Sequence, residues 1–102
     1  MKITQTTKVE DCFNGSSIYR YSFDAAWSRE SLRLLSDIGK LSYYPDFPRP
    51  FFRVRNNGGM EVKGVEGEAS CLVILPSKQQ DESKQRFEAV FDTPNPKWKG
   101  VP

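Results

Sequence analysis

The clearest alternation in the chain runs from Phe51 to Leu75, where apolar residues recur at every second position on either side of glycine-rich turns. Here turn chemistry and side-chain parity can be checked against each other. A three-residue loop at Asn56, Asn57 and Gly58, with Gly58 left-handed, sets Val54 opposite Met60 and Phe52 opposite Val62, so four apolar side chains share a face. A two-residue loop at Asn57-Gly58 would set Val54 against Glu61 instead. A second tight turn at Glu66-Gly67 carries the face into a third strand, with Val62 against Cys71 and Met60 against Val73. The expected meander is therefore 51–55, 59–65 and 69–75. Its opposite face holds Phe51, Arg53, Arg55, Glu61, Lys63, Leu72 and Ile74, with Arg53 across from Glu61 as a weak charge pair. The run from Cys71 to Leu75 is apolar on both sides, as in a strand inside a sheet or one whose outer face meets something else.

Upstream, Asn14-Gly15 interrupts β-prone residues between Lys8 and Phe23 and predicts a hairpin with a type I′ turn. Tyr19, Tyr21 and Phe23 share one face of its second strand, and Ile18, Arg20 and Ser22 the other. Asp24 as N-cap and Gly39 as a left-handed terminator bound a helix. Its apolar stripe is Trp27, Leu34, Leu35 and Ile38, with Leu32 at the shoulder and Arg29, Glu30, Arg33 and Asp37 on the wet side. From Lys40 the chain begins like a short strand, but Pro45, Pro48 and Pro50 turn the segment into a stiff connection. Ser77 with Gln80 makes a capping box ahead of a helix to about Phe91, anchored by Phe87, Val90 and Phe91, with Glu82 and Arg86 as a favourable pair. The pattern predicts one small α+β domain over 1–92, followed by a proline-rich tail at 93–102. Its antiparallel sheet is a hairpin plus a three-stranded meander, with two helices mainly on one face, in the order β-β-α-β-β-β-α.

Composition narrows the chemistry. Leu, Ile, Val and Phe make up 24 of the 102 residues, enough for a collapsed core. There is no histidine, which removes the commonest neutral-pH general base and imidazole metal ligand and rules out Ser-His-Asp and Cys-His catalysis within the chain. Cys12 and Cys71 are too few for a thiolate zinc site and are not spaced as a redox pair; both are expected as reduced thiols, Cys71 in the core. The glycine runs at 56–59 and 64–67 match no nucleotide-binding motif and are explained as turns. Glu66 and Glu68, and the consecutive Asp81 and Glu82, are not forced into a shared desolvated site. No catalytic residue, metal or cofactor is therefore expected. Met1 to Val9 lacks the apolar core of a signal peptide and no run is long enough to span a bilayer, so the expectation is a cytoplasmic protein without a membrane partner.

Two functions remain in competition for the same surface. Phe51, Leu72 and Ile74, with the methylene stems of Arg53 and Arg55 and with Lys63 nearby, form an apolar patch rimmed by charge. That pattern marks a protein-interaction or self-associating module, with a homodimer as one form. Alternatively, the local charge from Lys40 to Lys63, five basic residues against two acidic, with Phe51 as a stacking ring, suits single-stranded nucleic acid. Against that reading stand Glu61 in the middle of the platform, the net charge of +2 and the lack of an RNP1 pattern. An aromatic cavity of Tyr19, Tyr21, Tyr43, Tyr44 and Trp27 is also conceivable, but a chain this short needs most of those rings for its core.

Overall fold

Six stretches of the chain extend and pair: β1 (Ile3–Asp11), β2 (Ser17–Phe23), β3 (Lys40–Tyr44), β4 (Phe51–Arg55), β5 (Glu61–Val65) and β6 (Ser70–Leu75). The computed structural model describes residues 1–91, so the tail expected at 93–102 lies outside the described residues. The strands make one antiparallel sheet in the order β1-β2-β6-β5-β4-β3. The α+β class and the succession of hairpin, helix, meander and helix are as the sequence predicts. One strand is added: Lys40–Tyr44 completes its pairing with β4 before the prolines begin, and so becomes the edge of the sheet.

The meander keeps its faces but shifts its register by two residues. Val54 lies opposite Val62 and Phe52 opposite Gly64, while Val62 lies opposite Val73 and Gly64 opposite Cys71. The first connection spans Asn56 to Met60, five residues rather than three, and its left-handed glycine is Gly59 (φ 95°), not Gly58. Asn56 closes it from both ends, its N–H donating to the Met60 carbonyl at 3.2 Å and its Oδ1 accepting from the Met60 N–H at 3.0 Å. Because the side-chain period is two, a loop longer by two residues moves every pairing without turning any side chain over. In the first hairpin, of Asn14 and Gly15 only Gly15 has positive φ (88°), which excludes the type I′ turn. Asn14 Oδ1 instead accepts from the backbone N–H and hydroxyl of Ser16, at 3.0 and 2.6 Å.

The first helix is much shorter than its apolar pattern suggests. Residues 24–28 form no helix, because Trp27 is tied by its backbone to the β5–β6 turn: its N–H donates to the Glu68 carbonyl and its carbonyl accepts from the Gly67 N–H, both at 2.9 Å. Helix α1 (Arg29–Leu32) starts at Ser28, which exchanges capping-box bonds with Ser31, and passes straight into a 3-10 turn over Arg33–Asp37. With three residues per turn, positions three apart line up. Leu32, Leu35 and Ile38 therefore point inward and Leu34 faces out. Gly39 is not left-handed. A Cβ there would lie 2.2 Å from the Arg55 carbonyl oxygen, so the residue serves close approach of the two backbones.

Helix α2 (Gln80–Phe91) follows Gln79, which adopts positive φ (55°). The Ser77–Gln80 capping box does not form. Gln80 reaches across instead to the Gly15 carbonyl at 3.3 Å and the Ser17 hydroxyl at 3.4 Å. Glu82 makes no ion pair with Arg86, whose guanidinium donates to the Asp37 carbonyl at 3.1 Å and joins α2 to the 3-10 turn. Phe87 and Phe91 are buried, and Val90 packs against them from the margin. The core thus lies on one side of the sheet. Tyr21, Phe23, Phe52, Val54, Val62, Cys71 and Val73 face Trp27, Leu32, Leu35, Ile38, Phe87 and Phe91, and Trp27 meets the Phe52 and Phe23 rings edge-on at 5.0 and 5.2 Å.

Candidate interaction surface

Since every helical anchor lies on one side, the other side of the sheet carries no helix among the described residues. Its composition follows from parity and register. One row across the strands reads Glu10, Ile18, Ile74, Glu61, Arg55, Lys40, and the next reads Thr7, Arg20, Leu72, Lys63, Arg53, Ser42. Ile18 beside Ile74, with Leu72 next along β6, forms a half-buried aliphatic strip at the centre. At the far end Phe51 pairs with both Val65 and Tyr44. The Tyr44 ring stacks on Phe51 at 4.6 Å and 23°, with Phe47 against Phe51 at 5.0 Å.

All six expected surface residues, Phe51, Arg53, Arg55, Lys63, Leu72 and Ile74, lie on this face, but not as one patch. Lys63 stands between Leu72 and Arg53, so Phe51 belongs to the aromatic corner and Leu72 with Ile74 to the aliphatic strip. The two are joined along the margin by a hollow of about 370 Å³, lined by Arg20, Phe51, Lys63, Val65, Ser70 and Leu72 among others. Arg53 is opposite Lys63, not Glu61, which faces Arg55. Two cations directly opposed across a ladder repel, and Glu61 sets a carboxylate against the two arginines. Its oxygens lie 3.1 Å from Arg53 Nε and 3.4 Å from Arg55 Nε. The Arg53 contact is an ion pair without hydrogen-bond alignment, since that buried Nε has no hydrogen-bond partner.

Ile18, Arg20, Val65 and Tyr44 join this surface without a signal in the local pattern that puts them beside the other six. The alternation of Ile18 and Arg20 away from the aromatic face of β2 was legible. Their place beside Leu72 and Ile74 depends on β2 pairing with β6, strands far apart in the sequence.

The other concave regions are less suited to chemistry. A cleft of about 580 Å³ between the 3-10 turn, the β4–β5 loop and α2 includes Lys40, Arg55 and Arg86. Arg86 is engaged with the Asp37 carbonyl and Arg55 with Glu61. Tyr21, Glu88 and Lys84 form a charged network against the core. Glu88 Oε2 accepts from Tyr21 Oη at 2.7 Å and from Lys84 Nζ at 2.6 Å. Burial, then the hydrogen bond to Glu88, pushes the Tyr21 phenol far above its ordinary range, so it is a fixed donor rather than a proton shuttle. Burial likewise pushes the Cys71 thiol up, which keeps it protonated and unreactive. Among the described residues no three Cys, Asp or Glu side chains are grouped to hold a metal ion. No helix among them is long and apolar enough to cross a membrane.

Fold and surface together define a class: an open-faced antiparallel α+β domain with helices on one side and a mixed aliphatic, aromatic and cationic face on the other. No protein-family model, curated protein or solved structure matches the chain.

Proposed function

We propose that this chain is a non-enzymatic interaction module whose open sheet face binds an acidic surface of another protein. The observation that carries the reading is the aliphatic strip of Ile18, Ile74 and Leu72 at the centre of a face without helical cover. Apolar centres ringed by polar groups are the anatomy of protein interfaces. Around the strip stand five cations, Arg20, Lys40, Arg53, Arg55 and Lys63, against the two carboxylates of Glu10 and Glu61. A second copy laid face to face would oppose cation to cation, whereas carboxylates around an apolar centre complement it and steer association.

Single-stranded nucleic acid is the second reading, favoured by the stacked Tyr44–Phe51 pair with Phe47 beside it. Bases would stack on such rings, but they gain nothing from the central aliphatics, and Glu61 occupies the phosphate path.

The test is the double substitution Leu72→Glu with Ile74→Glu. Both side chains are on the uncovered face, so the variant should keep its circular dichroism spectrum. Proteins retained by the immobilised wild-type chain should be acidic, should elute with salt, and should be lost from the variant. Retention unchanged in a folded variant would overturn the proposal. A fluorescent oligothymidylate bound by the wild type, with affinity falling steeply with salt and abolished by Phe51→Ala, would transfer the face to nucleic acid.

A further inference from the structure

Strand β3 ends the ladder, so alternate backbone N–H and C=O groups along Lys40–Tyr44 point outward with no strand among the described residues to receive them. Natural sheets commonly protect such an edge with a proline, a bulge or a covering segment. Here the pairing of Lys40–Tyr44 with Arg55–Phe51 is regular, and the prolines start only at Pro45. The side chains of this strand that face the helical side, Leu41 and Tyr43, pack against the core but stay half-buried.

Beside that edge runs a groove of about 390 Å³ between β3 and the α1–3-10 segment. Its floor is Leu32, Leu41, Tyr43 and Pro45, and its far wall carries Arg29 and Arg33. The two arginines are exposed, four residues apart, and make no ion pair among the described residues. The Arg29 guanidinium sits 5.9 Å from the centre of the Tyr43 ring, a contact that leaves its N–H groups free for an anion. Tyr43 itself is held from the other end, its hydroxyl donating to Glu66. A free strand edge, an apolar floor and two guanidiniums without an ion pair among the described residues thus adjoin one groove.

We infer that this groove takes an extended acidic segment of another protein, which adds to β3 as a seventh strand. Its backbone pairs with the open groups of Lys40–Tyr44. On the side facing the groove an apolar side chain fills the space over Leu32 and Leu41, and a carboxylate two positions away meets Arg29 and Arg33. On the other side of the same segment, alternate residues emerge beside Lys40, Ser42 and Tyr44, where Arg53 and Arg55 follow on β4. Both faces of the added strand therefore favour negative charge. The groove lies on the covered side, away from the strip of Ile18, Ile74 and Leu72; the added strand shares only Lys40, Arg53 and Arg55 with the open face, and neither inference needs the other.

A displayed library of random heptapeptides, selected on the intact chain, tests it. Selected sequences should carry a carboxylate two residues from an apolar side chain. Their affinity should fall at least tenfold on Arg29→Glu with Arg33→Glu and be unaffected by Leu72→Glu with Ile74→Glu. Methylation of alternate peptide amides should abolish binding, and the bound peptide should slow hydrogen exchange at alternate amides within 40–44. Arg29→Gln with Arg33→Gln, which removes charge without reversing it, guards against misfolding of the Glu variant and should still weaken binding. Failure to select any binder, binders indifferent to the arginines, or binders that leave the 40–44 amides unprotected would each overturn the inference.

Discussion

Gly64 shows how far one residue's role depends on its neighbours. It faces Phe52 across the ladder, and a Cβ built on it would lie 2.5 Å from Phe52 Cζ. The Phe52 ring is fully buried under Trp27 and has nowhere to swing. Gly64→Ala should therefore overpack the core and destabilise the fold by about 1–3 kcal/mol in urea unfolding; a change within error would mean that the ring relaxes freely. Nothing in the local sequence distinguishes Gly64 from a turn glycine, and the expected register placed it beside no large side chain. The hydrophobic identities of Val54, Val62 and Val73 were readable, because period two fixes the face. Their exact partners were not, because a loop of three or five residues preserves the same faces.

The elements differ from expectation where a tertiary contact competes with local propensity. The stripe after Asp24 is helical in composition, but Trp27 satisfies its backbone on the β5–β6 turn and delays the helix to Ser28. The 3-10 winding that follows exchanges Leu34 for Leu32 in the core. Helix α2 is placed as its Phe87, Val90 and Phe91 anchor predicts, and polar bonds from Tyr21 to Glu88 and from Arg86 to the Asp37 carbonyl tie it to β2 and the 3-10 turn. Burial raises the Glu88 carboxyl, but the hydrogen bonds from Lys84 and Tyr21 outweigh it and hold the group below its ordinary 4.5. A depressed carboxylate stabilises the fold above that ordinary value and loses the contribution as pH falls through its folded value. The stability gap between wild type and Glu88→Gln should thus be widest near neutrality and narrow on acidification below about pH 4.5. A pH-independent gap in thermal melts would assign Glu88 a packing role only. Tyr21→Phe should cost about 1 kcal/mol at neutral pH, the net worth of one such hydrogen bond where the acceptor keeps partial access to water.

At the scale of the whole molecule, the sheet order decides what the protein can present. Placing β6 between β2 and β5 brings Ile18 and Arg20 beside Leu72 and Ile74 and makes one continuous face. With that face cationic, light scattering should return a monomer near 11.7 kDa whose ultraviolet ratio is that of protein alone. A dimer that persists in high salt and is lost with Leu72→Glu and Ile74→Glu would make a second copy the occupant of the face. Excess absorbance at 260 nm would point to nucleic acid. The sequence by itself determined the α+β class, the succession of its elements but for one strand, and the inward and outward parity of the meander, which turns Phe51, Arg53, Arg55, Lys63, Leu72 and Ile74 outward, since all of these follow from periodicities of two and three to four that are local to the chain. Only the tertiary structure decided the pairing of β2 with β6, the strand at Lys40–Tyr44 and the groove beside it. Each depends on contacts between segments distant in sequence, whose relative free energies no local pattern encodes.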